Sequence, residues 1–290
     1  MQQIERGIYF ENSYPGVSVG AILLPLGTIL VDAPLRAEDA RTWLNLLYNL
    51  GAKSNRMLVN LDAHPDRTLG ARSMECTIIA HQKTAQVFRS RPSVFKGQNA
   101  DSGSVWETFD DVVGTRWALP DITFTHQISL HWGEQDVLIE YHAGPAPGGT
   151  WVVVPSSKAV FVGDVVLLNQ PPFLTNADIP AWIETLDLLM KSYRDYTIIS
   201  GRGGPITLDA LKAQQRHLKS ILRGLDRLVK RNAPPSDVEH MIPNLLSDLS
   251  FPTELHDQYY QRYRHGFRQW RNGSRRFVCY TINLRGFFNV

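Results

Sequence analysis

Leu61-Asp62-Ala63-His64-Pro65-Asp66-Arg67-Thr68-Leu69-Gly70 sets carboxylates at 62 and 66, an imidazole between them at 64, and a guanidinium directly after at 67. Asp and His are the side chains that ligate metals or move protons. Arg does neither, because it is protonated at any relevant pH and has no lone pair to give. The run therefore mixes donors suited to a cation with a cation of its own. Immediately before it, Arg56 to Leu61 reads as a short apolar strand that delivers these groups onto a loop.

Outward from this run the chain alternates strands and helices. Val17 to Asp32 reads as two apolar strands around Pro25-Leu26-Gly27, a hairpin pattern. Glu38 to Leu50 carries apolar residues at helical spacing and stops at Gly51. Thr77 to Ala80 is a buried strand, whereas Arg89 to Leu119 has no period and reads as an excursion over the sheet. Ile122 to Leu130, Asp136 to Tyr141, Thr150 to Pro155 and Ala159 to Val166 are expected strands, with Gly133 and Ser156-Ser157-Lys158 in turns. A helix over Ile179 to Tyr193 tolerates Pro180 near its start. The strand Thr197 to Ile199 ends at Ser200-Gly201-Arg202-Gly203-Gly204. After Thr207 the pattern is mostly helical to about Trp270, broken at Pro234-Pro235 and Pro252, and Phe277 to Val290 fits neither period. This alternation predicts a layered α/β fold.

Composition narrows the class. Of 290 residues, 43% are hydrophobic and 20% charged, ordinary globular usage, and the net charge of +2 argues against a nucleic-acid or membrane surface. No apolar stretch approaches the roughly 18 residues of a membrane span. The N-terminus lacks a basic segment followed by an apolar run, so a cytoplasmic location is expected. Cys76 and Cys279 are far apart in sequence and are expected to stay reduced. Gly201-Arg202-Gly203-Gly204 lacks the Gly-Lys-Ser/Thr ending of a phosphate loop, and no Gly-x-Ser-x-Gly elbow occurs. Gln258 to His265 interleaves aromatic and basic residues. That pattern suits base stacking, but at helical spacing it is more simply an amphipathic helix packed on the domain or on a second subunit of a homo-oligomer.

Six landmarks in order resemble the metallo-β-lactamase superfamily over roughly residues 5 to 230. They are Leu30-Val31-Asp32-Ala33, Asn60 to Gly70, Ile78-Ile79-Ala80-His81, Ala143 to Gly149, Phe161-Val162-Gly163-Asp164 and Ser200-Gly201-Arg202-Gly203. The resemblance implies a four-layer αββα sandwich spanning residues 1–206, with a mostly helical part, 207–290, packed on it. It also implies a dinuclear metal site carried by a His-x-His-x-Asp-His run. The positions matching the first metal's three histidines hold Asp62, His64 and Pro145. Those matching the second metal's ligands hold Asp66, Arg67, Arg202 and Asp164, the last at the bridging carboxylate. Three of the five histidine positions thus carry residues that cannot ligate, and a fourth carries a carboxylate.

Zinc takes four ligands, or three and a water. A dication about 4 Å from a guanidinium is opposed by ~4 kcal/mol or more per unit charge at an effective dielectric near 20. The two-metal site is therefore expected to be absent and no cofactor is expected. In its place an ion-pair cluster of Asp66 and Asp164 with Arg67 and Arg202 is expected, because carboxylates buried without a partner are costly. Asp62 is read as a ligand or as a cap on backbone N–H groups, and His64 as a surviving ligand or a hydrogen-bonded residue. His142 could supply a displaced ligand or lie half-buried at a strand end. His81, His126 and His131 lack ligand spacing, and His217, His240, His256 and His265 are expected to face solvent. Trp106 and Trp117 either line a mouth or pin the irregular segment to the core.

The leading expectation is a divergent member without metal-dependent hydrolysis, binding a small anionic molecule through Arg67, Arg202 and His64. The alternative is a hydrolase of an ester, thioester or lactone, using one zinc, iron or manganese ion held by Asp62, His64, Asp66 and Asp164. A third is metal-free acid–base catalysis by His64 with Asp66.

Overall fold

The computed structural model describes residues 1–97, 102–133 and 135–274. The chain begins with β1 (Gln2–Glu5), β2 (Ile8–Glu11), β3 (Val19–Leu24), β4 (Gly27–Val31), α1 (Ala37–Asn49), β5 (Arg56–Val59), α2 (Pro65–Thr68), β6 (Thr77–His81), α3 (Gln82–Ser90) and β7 (Ile122–Phe124). These seven strands form one sheet in sequence order. β1 to β4 pair antiparallel and β4 to β7 pair parallel. The chain continues through β8 (Gln127–His131), β9 (Asp136–Tyr141), β10 (Thr150–Val154), β11 (Ala159–Phe161), α4 (Ile179–Ser192), β12 (Thr197–Ser200), β13 (Gly204–Ile206), α5 (Leu208–Lys230), α6 (Ile242–Ser247) and α7 (His256–Ser274). The second sheet has the order β13-β12-β11-β10-β9-β8, with β11 and β12 parallel.

The layers follow from which faces are apolar. Ile8, Ile22, Ile29, Val59 and Ile79 of the first sheet meet Ile139, Val152, Val154, Phe161 and Ile199 of the second in a dry interior. α1 lays Ala40, Trp43 and Leu47 on the outer face of the first sheet. α4, α5, α6 and α7 cover the outer face of the second through Trp182, Leu186, Leu218, Leu245 and Tyr263. β10 is buried along its whole length because alternate residues serve both interfaces: Val152 and Val154 face the other sheet, Trp151 and Val153 the helices. The result is the αββα sandwich expected from the sequence, with helices over its C-terminal side. Among the described residues no helix is long and apolar enough to cross a membrane.

Several local expectations are corrected. Ile122 to Leu130 is two strands: β7 joins the first sheet and β8 the second, so the chain changes sheets at Thr125-His126 without a Gly or Pro to mark it. The strand from Ala159 ends at Phe161, because Gly163 takes φ +61 and turns the chain out of the sheet. α3 went unread since its N-cap is His81, outside the usual Ser/Thr/Asp/Asn set. The irregular stretch after it is no loose excursion: Trp106 and Trp117 are each 8% exposed and pack with Phe88 and Phe95 in a cluster of their own, which settles them as pins. His217 is buried against the Tyr263 hydroxyl rather than facing solvent. His142 is half-buried, stacked on Trp151 and hydrogen-bonded to Glu140. α7 is amphipathic and buries Tyr259, Arg262 and Tyr263 on the domain. Cys76 is a free thiol that burial pushes up to about 11, and Cys279 and the stretch Phe277 to Val290 lie outside the described residues.

Candidate functional site

Four strand ends meet at one edge of the sandwich. β4 is followed directly by Asp32, β5 runs into the Leu61–Gly70 loop, β11 is followed by the turn carrying Asp164, and Arg202 sits in the turn between β12 and β13. The loop is held from within. Asp62 Oδ1 accepts the His64 N–H at 2.7 Å, the capping role weighed for it. His64 Nδ1 caps α2 by accepting the Asp66 N–H at 3.2 Å, and Pro65 starts the helix where its missing N–H costs nothing. Asp66 Oδ1 and Oδ2 accept the N–H groups of Trp106 (2.8 Å) and Val105 (3.2 Å), tying the irregular segment to the site.

The charges interlock. Arg202 Nη1 donates to Asp66 Oδ2 at 2.7 Å, and its Nε lies 3.1 and 3.2 Å from the two oxygens of Asp164. Arg67, fully buried, turns away from Asp66. It pairs with Asp164 Oδ1 through Nη2, with Asp32 Oδ2 through Nη1 at 3.1 Å, and with Asp62 Oδ1 through Nε at 3.4 Å. Asp164 thus bridges two guanidinium groups. The cluster expected from sequence is present, with Arg67 serving Asp32 and Asp62 in place of Asp66.

Two guanidinium charges face four carboxylates, and the protonation equilibria shift accordingly. Burial pushes Asp32 up to about 7, with Arg67 opposing, and pushes Asp62 up as well. Burial works against Asp164 too, but Arg202 and Arg67 together hold it below the usual carboxylate range. Arg67 is buried, yet Asp164, Asp62 and Asp32 raise its pKa above the usual arginine value.

His64 is boxed in. Its Nδ1 also faces Arg202 Nη2 at 3.1 Å, its Nε2 lies 3.5 Å from Ser104 Oγ, and its ring packs on Phe173 at 4.4 Å. Phe173 in turn lies under Arg202 and Arg262, 4.6 and 4.0 Å from ring centroid to guanidinium carbon. Burial, reinforced by Arg202 and Arg67, holds the ring's pKa well below 6.5. With two donors on Nδ1 the neutral ring carries its hydrogen on Nε2, so no lone pair is left for a metal or for a substrate proton. Because the folded pKa lies below the unfolded one, this contribution to stability is full above about pH 6.5 and is lost as the pH falls. In an NMR titration the His64 ring is expected to remain neutral through the ordinary histidine range around pH 6.5. A midpoint near 6.5 would contradict the boxed geometry.

The structure brings together Asp62, His64, Asp66, Arg67, Asp164 and Arg202 from the sequence reading. Pro145 is buried and brings no donor. Three members went unread. Asp32 was visible as a landmark at a strand end, but its φ of +56, which turns the carboxylate inward, has no sequence signal. Phe173 lies in a segment without period. Arg262 shares a helical face with Tyr259 and Tyr263, a spacing that could have placed it inward. The residues present do not fit a dinuclear metal centre, since the carboxylate oxygens are turned to guanidinium N–H donors and backbone amides. No group of three or more His, Cys, Asp or Glu arranged to hold a metal occurs among the described residues.

No protein-family model matches the chain, and no curated protein matches it in sequence. Solved structures do. A metallo-β-lactamase from Pontibacter korlensis is 16% identical with a TM-score of 0.61, covering 75% of this chain and 97% of that one. The stereoselective inverting sec-alkylsulfatase Pisa1 from Pseudomonas sp. is 15% identical with a TM-score of 0.63, covering 92% of this chain and 49% of the sulfatase. The DIM-1 metallo-β-lactamase is 17% identical with a TM-score of 0.56 over 76% of this chain and 96% of its own. The chain spans about half the length of the sulfatase, and a match over 92% of it must take in most of the helices after Thr207. Sandwich, strand order and site edge together make this a chain of the metallo-β-lactamase fold.

Proposed function

We propose that this chain is a metal-independent protein on a hydrolase fold, which binds a small anionic molecule at the former metal edge and does not cleave substrates with metal-activated water. One observation carries the reading: Asp164 bridges Arg67 and Arg202 as a bridging carboxylate would bridge two metals. Each guanidinium supplies charge and directed N–H donors, so every carboxylate of the cluster has a cationic partner from the chain's own atoms. A metal on Asp62, His64, Asp66 and Asp164 would have to displace an arginine and strip the backbone bonds that hold the loop. The sealed Nδ1 of His64 likewise speaks against acid–base catalysis through that ring. Arg67 is fully buried and ion-paired with Asp32, Asp62 and Asp164, which assigns it to the scaffold and leaves ligand contact to Arg202.

Protein purified without chelator is expected to contain far less than one equivalent of any transition metal, and its thermal midpoint is expected to be the same with and without EDTA. Ester, thioester and lactone substrates are expected to remain intact in its presence. A stoichiometric metal that disappears in His64→Ala would overturn the proposal in favour of the single-metal hydrolase.

A further inference from the structure

Arg262 is 1% exposed, and no carboxylate among the described residues pairs with it. Its hydrogen bonds all go to neutral oxygens: Gly103 O from Nε and Nη2 at 3.0 and 2.8 Å, and Pro171 O and Gln170 Oε1 from Nη1 at 3.3 and 3.4 Å. A guanidinium has five N–H groups, so one on Nη2 is left without an acceptor among the described residues. A charge buried without a counter-charge is costly and calls for an explanation. Burial, with Arg202 adding to it, brings this arginine down to about 10.

The explanation lies in the cavity beside it. A space of about 250 Å³ has Arg262, Arg202, Tyr14, Tyr259, Asn12 and Gln258 among its lining residues. Among the described residues no Asp or Glu lines it, and Val17, Val105 and Leu255 are its apolar members. The four carboxylates of the neighbouring cluster all lie outside it. Such a lining combines residues that carry N–H and O–H donors and positive charge with apolar ones. The volume falls just under the ~300–1,000 Å³ of pockets that hold drug-sized ligands.

We infer that this cavity is the ligand site, and that it takes a small molecule ending in a carboxylate, sulfate or phosphate group, with the oxyanion set against Arg262 and a short apolar body against Val105 and Leu255. The inference rests on the binding role proposed above and moves the centre of that role from Arg202 to α7. Arg262 supplies the charge, Arg202 links the site to the ion-pair cluster, and the two tyrosines supply neutral donors.

Calorimetric titration of the full chain with sodium sulfate, inorganic phosphate and succinate, at ionic strength held constant with chloride, tests it. At least one probe is expected to bind saturably at one site per chain. Binding is expected to weaken about tenfold or more in the Tyr14→Phe, Tyr259→Phe double variant, since a hydrogen bond to a charged group is lost with each hydroxyl. It is expected to vanish in Arg262→Met and to return in part in Arg262→Lys. The tyrosine variant keeps the test decisive if Arg262→Met does not fold. Metal analysis of the same sample separates the two levels of the argument. Metal-free protein that binds none of the probes, or binds them equally well in the tyrosine variant, overturns this site and leaves the metal-independent reading standing. A stoichiometric metal overturns that reading itself.

Discussion

Replacing Arg67 with Met is expected to cost about 3–5 kcal/mol of folding stability, the range for removing one partner from a buried ion pair. Met matches the apolar stem but ends short of the guanidinium, so some packing is lost and the larger part of the loss is electrostatic. Asp32 would keep only the Leu61 N–H, and Asp62 only the His64 N–H. Asp164 would keep Arg202. Arg202→Met is expected to cost clearly less, because Asp66 retains two backbone N–H groups and Asp164 retains Arg67. Urea denaturation of both variants under one condition checks the order, and an equal or larger loss in Arg202→Met would contradict the division of labour. The deficit of Arg67→Met should also depend on pH. Without the guanidinium, the folded-state pKa values of Asp32 and Asp62 rise further above their unfolded values. Carboxyls raised in this way stabilise the fold below the unfolded pKa and lose that contribution as the pH rises through the folded one. The gap to the unmodified protein should therefore narrow as the pH is lowered from about 8 to about 5.

Gly70→Ala is the second large effect expected, about 3 kcal/mol or more, at the top of the range for forced overpacking. A β-carbon at this position would sit 1.9 Å from the carbonyl oxygen of Pro34 and 3.1 Å from its carbon. Both are backbone atoms in the loop that follows Asp32, so no side-chain rotation relieves the clash. The turn Leu69–Met74 packs against α1 and carries the end of the charged run. Pushing it outward pulls Arg67 off Asp32. A loss below about 1 kcal/mol in thermal or urea unfolding would show that the loop yields freely and that the contact is not a constraint.

How much of this was legible in the chain differs by element. The Leu61–Gly70 run disclosed its mixture of Asp, His and Arg side chains, because charge and ligating ability are properties of single residues. The sandwich followed from the order of landmarks, and β10 from an unbroken apolar run. Which carboxylate each arginine would serve was not legible. Arg67 could reach Asp66 or Asp32 equally well on paper, and the choice is made by the left-handed turn at Asp32 and the turn at Gly163, which no spacing rule encodes. Arg262 was hidden for a related reason. It reads as one basic residue among several on an amphipathic helix, and only the docking of α7 over Gly103 and Phe173 makes it a buried charge. The crossing at Thr125-His126 escaped because both halves are strands and no breaker separates them.

The bridge at Asp164 has a bearing on how the molecule comes into being. An inorganic centre must be acquired from outside, after or during maturation, and its supply sets when the edge closes. Arg67 and Arg202 arrive by translation in fixed stoichiometry, on opposite halves of the chain, and meet only when both sheets are in place. On the proposed metal-independent reading, closure of that edge is a property of the polypeptide alone, indifferent to scarcity of any ion in the surrounding medium.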